Sequence, residues 1–350
     1  MTFCLVVGTR PQIIKSQPIT NEFKKRKIPL IVIHTGQHYD YKMSKSFFKE
    51  LGIPSPDYNL GISEGSSTKQ LSEIMIKLEK KFNKIRPNLV IIPGDTRSAL
   101  AGALTANRLQ IPIAHIESGA RSYDSAMEEE INRRLIDHMS SILFAPTQNC
   151  LKNLKSESVL GKKIFSGDTM YDVFLQYKKY LKLTDLKQDF IMMTIHRREN
   201  ILNKENLSRI IFNVQKLSKK GFKIIFPIHP HTQKQLKLFK IPLNGISVIE
   251  PLKYSEILNM ISKSKLLITD SGGLQKEAFW LKTKCLTIRE NTEWTETFYG
   301  NNNQLLRKLT FNDYKKIEQI LKTDFKKNSS QLFGSGRASK KIVSILSNQF

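Results

Sequence analysis

The sequence contains little cysteine, no long apolar run and few acidic residues relative to basic ones. Its three cysteines, Cys4, Cys150 and Cys285, are scattered through 350 residues without the paired spacing of metal or redox motifs. This scarcity excludes a disulfide-rich secreted scaffold, favours a reducing cytoplasmic compartment and predicts no metal site. No apolar stretch approaches the roughly 18 residues that a membrane-spanning helix requires, so no membrane insertion is expected.

Basic residues are in large excess: 56 Lys and Arg stand against 31 Asp and Glu, which gives a formal net charge of +25. Such an excess is found in proteins that bind nucleic acid, anionic membranes or anionic small molecules. The lysines, however, are spread along presumptive helices at residues 22–27, 77–84 and 315–327. They favour a solvated surface over a nucleic-acid site, for which steeply salt-dependent binding is the expected sign.

Short apolar runs alternate with helical patterns of 10–15 residues in both halves of the chain, which is typical of parallel sheets with crossover helices. The predicted strands are 3–7, 30–34, 88–93, 111–116, 190–194, 223–228, 247–249, 265–268 and 285–288. We therefore expect an α/β fold of two Rossmann-like, doubly wound domains facing a cleft. The predicted domains are residues 1–168 and 169–335, and the C-terminal helix within 336–350 is expected to pack back on the first.

A glycine pair, Gly272-Gly273, stands where a predicted strand passes into a helix, at residues 268–277. Glycines at such a junction let the backbone approach a ligand, and the helix N-terminus directs N–H groups at an anion, most often a phosphate. Glu277, one turn further on, could accept hydrogen bonds from a ribose diol. A plain turn capped by Asp270 or Ser271 is the alternative interpretation.

Polar and charged residues follow the other predicted strands, at the sheet edge where ligands bind in open α/β folds. Arg10 and Lys15 follow the first strand, in and after a turn in which Pro11 opens a helix. The remaining strand ends carry Asp95, Glu117, His196-Arg197-Arg198-Glu199-Asn200, His229-Pro230-His231 and Arg289-Glu290-Asn291-Thr292-Glu293.

Seven motifs in order resemble one known family, the non-hydrolysing UDP-N-acetylglucosamine 2-epimerases. They are Gly8-Thr9-Arg10-Pro11, Thr35-Gly36-Gln37-His38, Gly94-Asp95-Thr96, His115-Ile116-Glu117-Ser118-Gly119-Ala120-Arg121, Glu129-Glu130-Ile131-Asn132-Arg133, His196-Arg197-Arg198-Glu199-Asn200 and Asp270-Ser271-Gly272-Gly273-Leu274-Gln275. The resemblance implies a fold of the glycosyltransferase-B type, a homodimer, and interconversion of UDP-GlcNAc and UDP-ManNAc without a cofactor.

The resemblance also assigns roles to single residues. Asp95, Glu117 and Glu129 match the catalytic carboxylates, and His196 matches the active-site histidine. The implied substrate-binding residues are Arg10, Lys15, Ser271, Gly272 and Gly273 for the diphosphate, Glu277 for the ribose, Arg133 for the substrate or a carboxylate, and His229. Three structural alternatives stay open: Asp95 as a helix N-cap, His196 as a buried histidine with its hydrogen bonds satisfied, and Glu130 as a solvated neighbour of Glu129.

Departures from the commonest family pattern bear on the sugar. Gln12 stands where glutamate is usual, Glu128 where proline is usual, and Glu293-Trp294 replaces the common Glu-Arg. These residues and the stretch 38–44 resemble the branch that includes UDP-2,3-diacetamido-2,3-dideoxyglucuronate 2-epimerases, whose substrate carries an extra carboxylate. That stretch also lacks the residues with which regulated members bind a second, allosteric UDP-GlcNAc. A UDP-sugar glycosyltransferase of the same fold and a hydrolysing epimerase remain alternatives.

Overall fold

The computed structural model of the protein describes residues 1–36, 55–62, 64–181, 188–307, 309–326 and 331–349. The chain divides into two compact units, Met1–Gln176 with Gln331–Phe350, and Tyr177–Ser330. The predicted boundary after residue 168 precedes this division. Residues 37–44, which include part of one motif and the stretch used to choose a branch, lie outside the described residues.

The first unit is built on a seven-stranded parallel sheet of order β3-β2-β1-β4-β5-β6-β7. Its strands are β1 (Phe3–Val7), β2 (Leu30–His34), β3 (Tyr58–Asn59), β4 (Leu89–Pro93), β5 (Ile113–Ile116), β6 (Ile142–Ala145) and β7 (Lys162–Phe165). Its helices are α1 (Arg10–Lys25), α2 (Ser67–Ile85), α3 (Arg97–Arg108), α4 (Glu128–Met139), α5 (Gln148–Ser156) and the start of α6 (Thr169–Lys178). The central strands β1 and β4 are buried along their whole length because helices cover both faces of the sheet.

The second unit repeats this plan with six parallel strands in the order β10-β9-β8-β11-β12-β13. They are β8 (Gln188–Thr194), β9 (Lys223–Pro227), β10 (Ile246–Ile249), β11 (Ser264–Thr269), β12 (Lys284–Ile288) and β13 (Asn303–Leu306). The helices are α7 (Arg198–Ile201), α8 (Lys204–Lys219), α9 (Pro230–Leu238), α10 (Tyr254–Lys263), α11 (Gly272–Trp280) and α12 (Tyr314–Leu321), with a 3₁₀ segment at Thr295–Asn301.

The prediction of a doubly wound α/β fold in both halves is confirmed. The short strand β3, which is not among the predicted strands, extends the sheet beside β2. Apolar side chains of strands and helices form a buried core in each unit. Among the described residues, no helix combines the length and the apolar character that crossing a bilayer demands.

The last helix, α13 (Ala338–Gln349), belongs to the first unit and packs against α1. Its N-terminus is capped by a side chain that lies 166 residues earlier in the chain. The Asp172 carboxylate in α6 accepts hydrogen bonds from the backbone N–H groups of Ala338 (3.0 Å) and Ser339 (2.8 Å) and from the Ser339 hydroxyl (2.7 Å). These bonds satisfy N–H groups that a helix end leaves without intrahelical partners.

Candidate active site

Two turns at the carboxyl edge of the first sheet position the predicted carboxylates Asp95 and Glu117. β4 is followed by Gly94, whose φ of +70° is a conformation that glycine adopts without strain. β5 is followed by Glu117, which has φ of +69° although it carries a side chain. Left-handed backbone at a non-glycine residue stores strain, and such strain is concentrated at functional sites.

Lys15 forms a buried ion pair with Glu117. Its Nζ lies 2.8 Å from Glu117 Oε2, and both side chains are 10% exposed. The same ammonium lies over Gly94, since a Cβ placed on Gly94 would come within 2.9 Å of Nζ. The sequence assigned Lys15 to a diphosphate; in the structure its hydrogen-bond partner is the Glu117 carboxylate.

Arg133 orients the Asp95 carboxylate. Its Nη2 donates to Asp95 Oδ2 at 2.5 Å and its Nη1 to Glu130 Oε2 at 3.1 Å. Asp95 is not a helix N-cap, because Thr96 caps α3 with a hydroxyl that accepts the Ala99 N–H at 3.3 Å. Of the two predicted roles for Arg133, the structure therefore supports that of orienting a carboxylate.

The three consecutive glutamates that open α4 have different environments. Glu128 binds the Arg97 guanidinium through both carboxylate oxygens, at 3.1 and 3.0 Å. Glu129 is exposed, and its carboxylate forms neither a hydrogen bond nor an ion pair with another described residue. Glu130 is 1% exposed and accepts hydrogen bonds from Ser122, so the prediction of a solvated Glu130 is wrong.

Arg10 and Gln12 shape the turn between β1 and α1. Arg10 is exposed at the first position of the helix. The Gln12 amide oxygen accepts the backbone N–H groups of Gly8 (2.9 Å) and Thr9 (3.2 Å), while its nitrogen donates to the Pro93 carbonyl at 2.8 Å. An ionised glutamate could accept the first two bonds but could not donate the third, so the amide joins the β1 and β4 turns.

In the second unit, α11 begins at the glycine pair, as the sequence predicted. Ser271 is the N-cap, with its hydroxyl accepting the Leu274 N–H at 3.4 Å. Gly273 is exposed, and a Cβ added there would meet nothing closer than Ser271 Oγ at 3.9 Å. Gly272 is more enclosed, since a Cβ there would lie 3.1 Å from Glu293 Oε1. The helix therefore has an accessible N-terminus suited to an anion.

Asp270 organises the residues around His196. This carboxylate is fully buried and accepts the backbone N–H groups of His196 (3.1 Å) and Arg197 (2.9 Å) and the Asn200 side-chain amide (3.0 Å). His196 Nδ1 lies 3.2 Å from Asp270 Oδ1, whereas the His196 side chain as a whole is 44% exposed. His196 is thus not a buried, satisfied histidine; one face is held and the other is accessible.

His229 lies beside His196, with their ring centroids 6.4 Å apart. It is the N-cap of α9, and its Nδ1 accepts the His231 N–H at 3.2 Å, which leaves the hydrogen on Nε2 when the ring is neutral. Burial lowers the pKa of His229, and the neighbouring His196 and His231 lower it further. A neutral donor beside His196 is therefore favoured at this position.

Glu277 is 2% exposed and accepts a hydrogen bond from the Tyr254 hydroxyl at 2.8 Å. The structure thus fixes the orientation of the predicted ribose ligand through a tyrosine of α10. Reasoning from the sequence did not identify Tyr254 and considered Asp270 only as a possible cap. Asp270 could have been identified, because a carboxylate directly after a buried strand is shielded from water and needs hydrogen-bond donors nearby.

The sequence of the chain is similar to those of known proteins. The family model described as UDP-N-acetylglucosamine 2-epimerase matches residues 21–347. A UDP-N-acetylglucosamine 2-epimerase homolog from Methanococcus maripaludis is 42% identical, over 99% of this chain and 100% of its own length. A UDP-2,3-diacetamido-2,3-dideoxy-D-glucuronate 2-epimerase from Pseudomonas aeruginosa is 36% identical over 99% of each chain.

A solved structure gives the same result. The UDP-GlcNAc 2-epimerase of Methanocaldococcus jannaschii, crystallised in complex with UDP-GlcNAc and UDP, has a TM-score of 0.92 at 40% identity, over 99% of this chain and 100% of that one. Family model, sequence relatives and structure agree along nearly the whole chain. The protein belongs to the UDP-N-acetylglucosamine 2-epimerase family.

Proposed function

We propose that the protein is a cofactor-independent isomerase that interconverts UDP-GlcNAc and UDP-ManNAc. The observation that carries the proposal is the meeting of Asp95, Glu117, Lys15 and Arg133 at one sheet edge, in a chain whose other unit presents an accessible helix N-terminus. Relatives 41–42% identical over 98–99% of this chain carry the same activity in their names.

The chemistry requires groups of these types. C2 of the sugar is not adjacent to a carbonyl, so removing its proton alone would leave a carbanion without an electron sink. A base instead removes the C2 proton while the C1–O bond breaks, and that electron pair leaves with UDP. The product of this anti-elimination is 2-acetamidoglucal. A proton then returns to the other face of C2, and the UDP oxygen adds back to C1.

Within this mechanism, Asp95, Glu117 and Glu129 are assigned to proton transfer at C2 and to ordering the sugar. Lys15 holds Glu117 and Arg133 holds Asp95 in a fixed orientation. This lowers the entropy cost of reaching a reactive geometry. Glu129 is exposed and available to a ligand in the described structure. No metal or cofactor takes part in any of these steps.

The second unit is assigned to the nucleotide. The backbone N–H groups of Gly272 and Gly273 and the hydroxyl of Ser271 bind the diphosphate, since the Ser271 N–H already donates to Thr269 Oγ1 at 3.0 Å. Arg10 is likewise assigned to the diphosphate. His196, supported by Asp270, donates to the departing phosphate oxygen, with His229 beside it. Glu277 accepts from the ribose hydroxyls in the orientation that Tyr254 sets.

The test is proton NMR of the purified protein with UDP-GlcNAc in D₂O, without added cofactor. The proposal expects deuterium at C2 together with a UDP-ManNAc product. Free ManNAc and UDP would identify a hydrolysing epimerase instead, and UDP release that depends on an added acceptor would identify a glycosyltransferase. Glu117→Gln serves as the matched variant and should abolish the exchange.

A modified UDP-sugar is the second candidate substrate. The 36% identity to the diacetamido-glucuronate 2-epimerase and the residues Glu293-Trp294 favour it. Both residues lie next to the glycine turn, with Trp294 Nε1 3.4 Å from the position of a Cβ on Gly272. Exchange at C2 of the diacetamido-uronate, with none for UDP-GlcNAc, would assign the protein to that substrate.

The assembly is proposed to be a cytoplasmic homodimer. Ile131 and Leu135, one turn apart on α4, are 43% and 46% exposed, and Tyr123 nearby in the chain is 65% exposed. Exposed apolar side chains on one helix face are suited to burial against a second copy. Sedimentation equilibrium tests this, since a single species of 40.3 kDa would contradict it.

A further inference from the structure

A histidine behind the carboxylates lies between two hydrogen-bond acceptors. His115 is in β5, two residues before Glu117, and is fully buried. Its Nε2 lies 2.9 Å from the carbonyl oxygen of Gly94, the residue before Asp95. Its Nδ1 lies 2.6 Å from Oδ1 of Asp137 in α4. Neither ring nitrogen reaches solvent or a substrate.

The second oxygen of Asp137 extends this contact to the Glu117 turn. Asp137 Oδ2 accepts the backbone N–H of Gly119 at 3.1 Å and the Arg121 Nη2 at 2.7 Å. Arg121 also binds Glu157 through Nε and Nη2, at 2.8 and 2.7 Å. The hydrogen bonds of His115 and Asp137 thus hold the backbone at two places. One is Gly94, immediately before Asp95, and the other is Gly119, two residues after Glu117.

Helix α4 connects the same group to the third carboxylate. Asp137 stands one turn after Arg133, which binds Asp95, and two turns after Glu129. A shift of the His115–Asp137 pair would therefore move both turns and the helix together.

Counting hydrogens fixes the charge of this histidine. The Asp137 carboxylate is ionised, because its other oxygen binds the Arg121 guanidinium. A carbonyl oxygen and an ionised carboxylate oxygen only accept, whereas a neutral imidazole carries a single N–H. Both contacts are hydrogen bonds only when both ring nitrogens carry hydrogen. The charges then balance, because the two cations, His115 and Arg121, are matched by the two anions, Asp137 and Glu157. Such a balance is needed because an uncompensated buried charge is strongly destabilising.

Among the described residues, Asp137 is the one charged group hydrogen-bonded to the ring. Of the other charged residues of α4, which also packs on β5, Glu130 and Arg133 bind each other and the rest are exposed. The flanking strands β4 and β6 consist of uncharged residues. The charged residues of α3 are Arg97 and Arg108 at its two ends, and Arg97 binds Glu128. On the strand itself, Glu117 is neutralised by Lys15. Asp137 is thus the carboxylate that compensates His115.

We propose that His115 and Asp137 are positioning residues, in which a doubly protonated His115 bridges the Asp95 turn and α4 so that the carboxylates keep the geometry for proton transfer. The proposal rests on the proposed function, since it concerns the same carboxylates. Neither residue touches the substrate. Displacing reactive groups by about 1 Å costs on the order of 10²-fold in rate, and that is the effect the pair prevents.

The first test uses His115→Gln, His115→Asn and Asp137→Asn, each of which keeps part of the hydrogen bonding. For the folded fraction of each variant, kcat should fall about 100-fold while KM changes less than about threefold. Misplaced carboxylates should also uncouple the two half-reactions, so UDP and 2-acetamidoglucal should accumulate beside the epimer. His138, an exposed histidine that follows Asp137 in α4, supplies the control. The variant His138→Asn should behave as the parent protein.

A purely structural role predicts a different outcome. The variants would then melt at lower temperature, but kcat per folded molecule would stay unchanged and no glucal would be released; that result overturns the proposal.

The second test does not depend on turnover. In ¹⁵N-histidine-labelled protein, the ring signals missing from His115→Gln identify His115, and both of its nitrogens should carry hydrogen. A single protonated nitrogen would overturn the inference. If the parent protein exchanges no UDP-N-acetylhexosamine, the proposed function fails, and this measurement still decides the state of His115.

Discussion

The two units prepare their candidate residues in different ways. In the first unit, side chains of opposite charge hold one another: Lys15 with Glu117, and Arg133 with Asp95. In the second unit, one buried carboxylate, Asp270, holds backbone N–H groups and leaves the helix N-terminus accessible.

The difference suits what each unit is proposed to do. Proton transfer needs carboxylates in fixed positions, which ion pairs provide. Binding an anion needs donors that are not already used, and a helix N-terminus beside glycines provides these without side-chain charge. In the second unit, the largest loss should therefore come from substituting one residue, Asp270. In the first unit, the loss should be divided between the two partners of each ion pair.

Removal of Asp270 should give the largest effect. Asp270→Ala deprives His196, Arg197 and Asn200 of their common acceptor, so kcat/KM should fall on the order of 10³-fold. The unfolding free energy should fall by about 3 kcal/mol, because buried donors lose their partner. Steady-state kinetics and urea unfolding measure the two. Asp189→Ala, which removes a 76% exposed carboxylate paired with Lys265, is the control and should change stability by less than about 0.5 kcal/mol.

In the first unit, Lys15 and Glu117 should stabilise each other. Lys15→Met leaves a nearly buried carboxylate without its cation and should cost about 3 kcal/mol of unfolding free energy. Adding Glu117→Gln to that variant should restore much of the stability but none of the activity. A double-mutant cycle in urea gives the coupling energy, and a value near zero would show that the two groups do not stabilise each other.

Acid should destabilise the first unit through His34. Burial lowers the pKa of this 1% exposed histidine to about 4, and its Nδ1 accepts the Gly36 N–H at 3.1 Å. As the pH falls from about 6.5 to 4, the unfolded chain binds a proton that the folded chain does not. Stability should therefore drop by about 3 kcal/mol in that window.

His34→Asn keeps an acceptor for Gly36 and should flatten the pH dependence, as measured by urea unfolding at pH 4.5, 5.5 and 7. His138→Asn on the surface is the matched substitution. An equally steep slope in the His34 variant would assign the acid sensitivity to other groups.

The smallest expected effect concerns the cap of α13. Asp172→Ala removes the acceptor for Ala338 and Ser339 and should cost about 1.5 kcal/mol. Asp172→Asn keeps one acceptor oxygen and should cost less than about 0.5 kcal/mol, because burial raises the pKa of the parent carboxyl and its ionisation opposes folding. Hydrogen exchange at residues 338–342 reports the difference; equal protection in both variants would contradict the capping role.

Much of this arrangement could be predicted from the sequence. Alternating apolar runs and helical patterns located nine of the thirteen described strands, but not β3, β6, β7 and β13. The rule that ligands bind at strand carboxyl ends placed Asp95, Glu117 and His196 among several candidates, and the resemblance to the epimerase family assigned their roles. The glycine pair indicated where a helix would begin, and α11 does begin there. These signals are local, so a single sequence contains them.

Partners distant in sequence could not be predicted in this way. Asp270 meets the His196 backbone across 74 residues, and Tyr254 meets Glu277 across 23. Three successive glutamates point about 100° apart around α4, and which one is buried depends on Ser122 and Arg133 rather than on the glutamates themselves. Periodicity gave no means of choosing Glu130.

The capping of α13 by Asp172 has a consequence for biosynthesis. The ribosome delivers α1 early, whereas α13, which packs against it, emerges only after the whole second unit has been translated. The second unit can collapse as soon as it is translated, whereas the first unit cannot be completed until α13 is available. The unit whose synthesis starts first is thus completed after the other, and nascent chains expose α1 until α13 emerges.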